Sequence, residues 1–168
     1  MSVAFGYRYR SIAVLSEAPD DGAFAESPFT PSGRPGTRAP HVSFMYRGAR
    51  ISCLDLMGRE LVLLCGPGAA GWARAGMAVA WSGAAALGVY RIGADLVDVE
   101  RRWQQAFGVS DTGAVLMRPD GFIAWRSHAT VNSPVDFLID VLACVLCRTP
   151  ESLRQTDTWR RTAPGAAA

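Results

Sequence analysis

The chain contains no lysine: all 17 basic residues among its 168 are arginine. That absence excludes Schiff-base catalysis and any lysine general base. Together with frequent Ala and Gly it otherwise reads as the codon bias of a high-G+C genome. Histidine is scarce as well, with only His41 and His128. Two histidines and two separated groups of cysteines give no zinc-ligand spacing, and no nucleophile-elbow pattern accompanies them. The sequence therefore offers no metal site and no catalytic residue. A formal charge of +2 argues against a nucleic-acid partner bound by phosphate neutralisation.

Long apolar runs are also missing. The most apolar stretch, Ala75 to Tyr90, is about 16 residues between Arg74 and Arg91, short of the roughly 20 that a membrane-spanning helix needs. Met1 to Arg10 lacks the apolar run of a secretory signal, so a cytoplasmic location is expected. There Cys53, Cys65, Cys144 and Cys147 are expected to be reduced. What is present is a composition 49% apolar and 19% charged, enough for one domain with a real core.

Four stretches differ in character. Residues 1–15 read as an extended segment, and 16–40 as a linker loop holding Pro19, Pro28, Pro31, Pro35 and Pro40. Residues 41–148 form the domain, and 149–168 read as a polar, flexible tail. Within the domain, Val42–Tyr46 and Ala49–Leu54 flank the turn signal Arg47-Gly48. Leu61 to Cys65 is a continuous apolar run, which suits a central strand buried on both faces. Ala69 to Leu87 predicts a small-residue helix, Gly88 to Ile92 a strand, and Val99 to Phe107 a short amphipathic helix.

Pro119-Asp120-Gly121 joins two further strands, Ala114–Arg118 and Phe122–Arg126. Ser133-Pro134-Val135-Asp136 opens the last helix with a capping hydroxyl, a proline and an acid. The order strand, helix, strand, short helix, hairpin, helix predicts an α/β thioredoxin-like sandwich. Its mixed central sheet has four or five strands with flanking helices, preceded by an extended segment and a hairpin.

Several stretches resemble the C-terminal region of FAD-dependent aromatic hydroxylases, which act on polycyclic polyketides in antibiotic biosynthesis. They are Gly6-Tyr7-Arg8-Tyr9-Arg10-Ser11, the segment Gly33 to His41, Leu54-Asp55-Leu56-Met57-Gly58-Arg59, Tyr90-Arg91-Ile92-Gly93 and the segment Gly113 to Arg126. The resemblance implies a thioredoxin-like C-terminal domain. It also implies that FAD and NADPH chemistry resides in other domains of such enzymes. This sequence has no G-x-G-x-x-G after a first strand, so no cofactor is expected on this chain alone. The reading that follows is a non-catalytic module that dimerises or docks onto a flavin monooxygenase.

Each notable residue carries a functional and a structural reading. Arg34, Arg38 and His41, in the proline-rich loop, either meet a partner surface or serve locally, the arginines by pairing with Asp20, Asp21 or Glu26 and the histidine through a structural hydrogen bond. Trp81, Trp103 and Trp125, with Trp72, either line a cleft for a polycyclic aromatic ligand or pack the core. Cys144 and Cys147 form a C-x-x-C, which invites a thiol-oxidoreductase reading. They stand at the C-terminal end of a helix, however, where the dipole raises thiol pKa values. Gly66-Pro67-Gly68 at a strand-to-helix junction lacks the Gly-Lys-Ser/Thr of a phosphate loop and reads as a turn.

Overall fold

The computed structural model describes residues 6–17, 23–27 and 30–155. The expected pieces at Asp20, Asp21 and the end of the tail lie outside them. A hairpin comes first, β1 (Ser43–Tyr46) and β2 (Ala49–Ser52), followed by a 3-10 turn at Cys53–Leu56. Then come β3 (Leu61–Cys65), α1 (Ala70–Ser82), β4 (Leu87–Arg91), α2 (Trp103–Phe107), β5 (Ala114–Met117), β6 (Ile123–Ser127), α3 (Pro134–Val145) and α4 (Pro150–Arg154). The strands from β3 onward form one four-stranded sheet in the order β4-β3-β5-β6. β3 and β4 are parallel, while β5 runs antiparallel to both of its neighbours. This is the mixed α/β sheet and hairpin that the sequence predicts.

The apolar run at β3 makes it the sheet's interior. All five residues are buried, and period-two alternation sends them to opposite faces. Leu61, Leu63 and Cys65 join the core beneath α1 and α3, whereas Val62 and Leu64 join the core beneath α2 and the hairpin. A register shift between Leu116 and Met117 breaks the alternation on β6. As a result the consecutive residues Ala124 and Trp125 both enter the α1–α3 core.

Several boundaries differ from expectation for local reasons. The first helix stops at Ser82, because Gly83 takes left-handed backbone (φ 76) and its N–H returns to Ala80 O. The short helix begins at Trp103 rather than Val99. Arg101 is left-handed (φ 52) and so outside any α-helix, and the Asp98 carboxylate accepts Arg102 N at 3.2 Å and Trp103 N at 2.8 Å. Ser133 makes no side-chain cap bond; its backbone (φ −127, ψ 74) departs from the extended geometry that aims a cap hydroxyl at the first turn. The stretch beyond Arg148 is not wholly a polar tail. Thr149 caps α4 by accepting Ser152 N, and Leu153 is buried.

The segments before the hairpin lie along β6. Gly36 N donates to Ile123 O at 2.8 Å, Ile123 N to Thr37 O at 2.9 Å and Ala39 N to Gly121 O at 2.9 Å. Leu15 N adds a bond to Ala124 O at 2.9 Å, and Tyr9 N one to Gly36 O at 2.6 Å. This strap covers an edge whose open N–H and C=O groups would otherwise invite pairing with another chain.

Candidate functional site

Arg126 fastens the strap. It projects from β6 and is 8% exposed. Its Nε and Nη2 donate in parallel to Glu17 Oε1 (2.5 Å) and Oε2 (2.7 Å), the bidentate fork that guanidinium geometry favours. Nη1 donates to Phe107 O (2.6 Å), Ser32 O and Gly33 O (3.1 Å each). One guanidinium thus joins the strap, the end of α2 and the sheet. His128 Nε2 lies 3.4 Å from Glu17 Oε1, and its Nδ1 donates to Gly108 O at 2.7 Å.

Burial pushes the Glu17 carboxyl up, but the Arg126 hydrogen bond and charge, with His128 and Arg34 beyond, hold it below its ordinary value. A carboxylate lowered in the folded state contributes stability above its unfolded pKa and loses it as pH falls through the folded value. Stability should therefore decline from the ordinary glutamate range downward. In Glu17→Gln that part of the acid limb should flatten, as measured by urea midpoints at successive pH values. An unchanged limb would remove Glu17 from the account.

The strap also carries the loop arginines. Arg38 is exposed and lies over the Phe122 ring, its Cζ 4.7 Å from the centroid. Tyr9 adjoins Phe122 at 5.8 Å, and Arg118 covers Tyr9 at 4.7 Å. The result is a ladder of cation, ring, ring and cation. Arg118 also pairs with Asp120 at 2.6 Å. Arg38 has no ion pair among the described residues, and its guanidinium sits over the Phe122 ring. Arg34 is half-buried and faces Glu17 electrostatically. Glu26 spends both carboxylate oxygens on Ser32, at 3.2 and 2.5 Å. His41 is exposed and makes no hydrogen bond among the described residues, so the structural bond expected of it is absent.

The tryptophans do not share a cleft. Trp125 packs edge-on against Trp72 at 5.1 Å and near Phe137 at 5.9 Å, in the α1–α3 core. Trp103 lies on the opposite face of the sheet against Phe107, at 4.8 Å. Trp81 is 84% exposed on α1. Trp81 and Trp103 stand on different helices and Trp125 on the bulged β6, so residues that look alike in sequence meet different surroundings.

Cys144 and Cys147 are free and exposed at the end of α3, whereas Cys53 and Cys65 are buried. Burial pushes the Cys65 thiol up to about 12. A disulfide-exchange reagent should label the two exposed thiols quickly in the native protein and the two buried ones only on unfolding. Fast labelling of Cys65 would contradict its placement.

The turn after β3 has its own N–H groups committed. Gly66 N donates to Gly113 O and Gly68 N to Asp111 O, both at 2.9 Å, and Pro67 has no N–H. The residues at this strand-to-helix turn do not fit a dinucleotide pyrophosphate.

Comparison with known proteins agrees with this architecture. Residues 32–148 match the family described as aromatic-ring hydroxylase, C-terminal. The chain belongs to that family. It is 43% identical over 143 residues to aklavinone 12-hydroxylase RdmE of Streptomyces purpurascens, covering 85% of this chain and 26% of that protein. It is 45% identical over 152 residues to 4-methyl-5-nitrocatechol 5-monooxygenase of a Burkholderia species, covering 88% and 28%. A crystal structure of aklavinone-11 hydroxylase with FAD and aklavinone superposes with a TM-score of 0.84 at 42% identity, over 88% of this chain and 27% of that one. The chain thus spans about a quarter of the length of these relatives, and it corresponds to the C-terminal domain of FAD-dependent aromatic hydroxylases.

Proposed function

We propose that this chain is a non-catalytic module that acts by association, docking onto the flavin- and substrate-binding part of an aromatic polyketide hydroxylase. The observation that carries the reading is a match that takes in most of this chain but only about a quarter of a larger hydroxylase. Some 88% of this chain aligns with 27% of a hydroxylase described with FAD and aklavinone, yet the β3–α1 turn has its N–H groups committed. The strap ladder supports a docking role. Arg38 and Arg118 lie over Phe122 and Tyr9, and interface hot spots favour pre-positioned Arg and Tyr of this kind. Self-association is the other form of the same reading.

The purified chain should carry no flavin absorbance and should not oxidise NADPH with or without an aromatic substrate. Stoichiometric flavin, or NADPH turnover above the buffer rate, would overturn the non-catalytic reading. A thiol oxidoreductase would instead reduce insulin and lose that activity in Cys144→Ser. The position of both thiols at a helix C-terminus weighs against it.

A further inference from the structure

Three observations converge on one crevice outside the strap. The first is topological. β3 and β4 run parallel, and the chain leaves them toward opposite faces: from β3 through α1 under one core, from β4 through α2 under the other. In open α/β sheets the carboxyl ends of strands at such a divergence are where ligands bind. A crevice of about 360 Å³ opens there, walled by Pro67 just past β3 and by Ile92 and Val97 just past β4. Its size falls at the small end of the roughly 300–1,000 Å³ typical of ligand sites.

The second observation is an unanswered donor. Trp103, which lines the crevice, is 1% exposed, and its indole Nε1 has no acceptor among the described residues. Buried N–H groups without partners are rare and call for an explanation. The third is strain. Arg101, on the same wall, holds left-handed backbone at φ 52 without being glycine, and it has no ion pair among the described residues. Non-glycine residues in this conformation cluster at functional sites.

The remaining polar groups define the ligand by exclusion. Asp98 spends its oxygens on the backbone of Arg102 and Trp103, and Asp111 is bonded by the Gln104 amide. The donors in the wall that no described acceptor answers are the Arg101 guanidinium and the Trp103 N–H. The ligand must therefore bring an acceptor. The two carboxylates in the wall disfavour a full negative charge, so the acceptor is a neutral carbonyl. The indole and the aliphatic walls favour a flat apolar body, and the volume limits it to about two fused rings.

We infer that this crevice is a binding site for a small, neutral, planar aromatic carbonyl compound, with Arg101 and Trp103 as its donors. The site is independent of the docking reading, because its test uses the chain alone.

Chromone, a bicyclic carbonyl compound, is the probe, and naphthalene is the control that lacks the acceptor. Binding is read from the Trp103 indole N–H resonance, assigned by its loss in Trp103→Phe. Chromone should shift that resonance saturably and bind at least roughly tenfold more tightly than naphthalene, the scale of one good hydrogen bond. Arg101→Gly suits the left-handed backbone and so preserves the fold; it should weaken chromone at least roughly tenfold. Equal affinity for the two compounds, no shift up to the solubility of chromone, or unchanged binding by Arg101→Gly would each overturn the proposal. Should Trp103→Phe fail to fold, the remaining indole signals and Arg101→Gly decide it.

Discussion

Replacing Arg126 by Met should cost this domain a large part of its stability. The substitution preserves apolar bulk but strips Glu17 of its fork and leaves the carbonyls of Ser32, Gly33 and Phe107 without their donor. Breaking one side of a buried charge pair costs about 3–5 kcal/mol, against a total of about 5–15 kcal/mol for a typical domain. At about 2–4 °C per kcal/mol for a chain of this size, thermal unfolding should drop by the order of 10 °C. Glu17→Gln should cost less, because the Glu17 side chain is 29% exposed and water can meet part of its need. The strap should loosen before the sheet in Arg126→Met, visible as early hydrogen exchange at Gly36 and Ala39. A melting point within a degree or two of the parent would mean that the strap does not depend on this residue.

Gly66→Ala should be comparably severe for a purely steric reason. A Cβ at Gly66 would stand 2.2 Å from the Asp111 carbonyl oxygen and 3.2 Å from that of Ser110. Both are main-chain atoms, so no rotamer change relieves the overlap. The loop cannot retreat freely, since Gly66 N holds Gly113 O and Gly68 N holds Asp111 O. Overpacking of this kind costs typically 1–3 kcal/mol, and more when backbone must move. Loss of soluble folded protein, or an unfolding free energy lowered by that amount, is the expected outcome. A variant as stable as the parent would show that the turn and the loop before β5 are not tightly joined.

These two residues illustrate what the sequence could and could not disclose. β3 was legible because five consecutive apolar residues with no polar break suit few places besides a sheet interior. The β5–β6 hairpin was legible because Pro119-Asp120-Gly121 is local turn chemistry, and α3 because Pro134 and a helical apolar period mark it. The Arg126–Glu17 pair spans 109 positions and leaves no local trace, since any arginine after an apolar strand looks alike. α4 leaves no sequence signal because Pro150–Arg154 is a single turn, too short to show a period. Arg101 hid the true start of α2, as nothing in its neighbours requires left-handed backbone. The tryptophans were legible as bulky apolar residues, but their faces were not. A one-residue bulge on β6 decides where Trp125 points, and the solvent exposure of Trp81 depends on which side of α1 meets the sheet.

The absence of a G-x-G-x-x-G was readable from residues alone, whereas the bonds of Gly66 N to Gly113 O and Gly68 N to Asp111 O needed the fold. The role of Arg34, Arg38 and His41 was not readable to the same degree. The ladder through Phe122 and Tyr9 shows how Arg38 is held.

Sedimentation velocity measures docking directly. The chain is mixed with the flavin- and substrate-binding part of a related hydroxylase such as RdmE, expressed without its own C-terminal quarter, and the bound flavin is followed by its visible absorbance. The account predicts that the yellow boundary moves faster when the chain is present, and that Arg38→Met weakens the shift. A flavin boundary that sediments identically with and without the chain, from protein that retains its flavin, would contradict it.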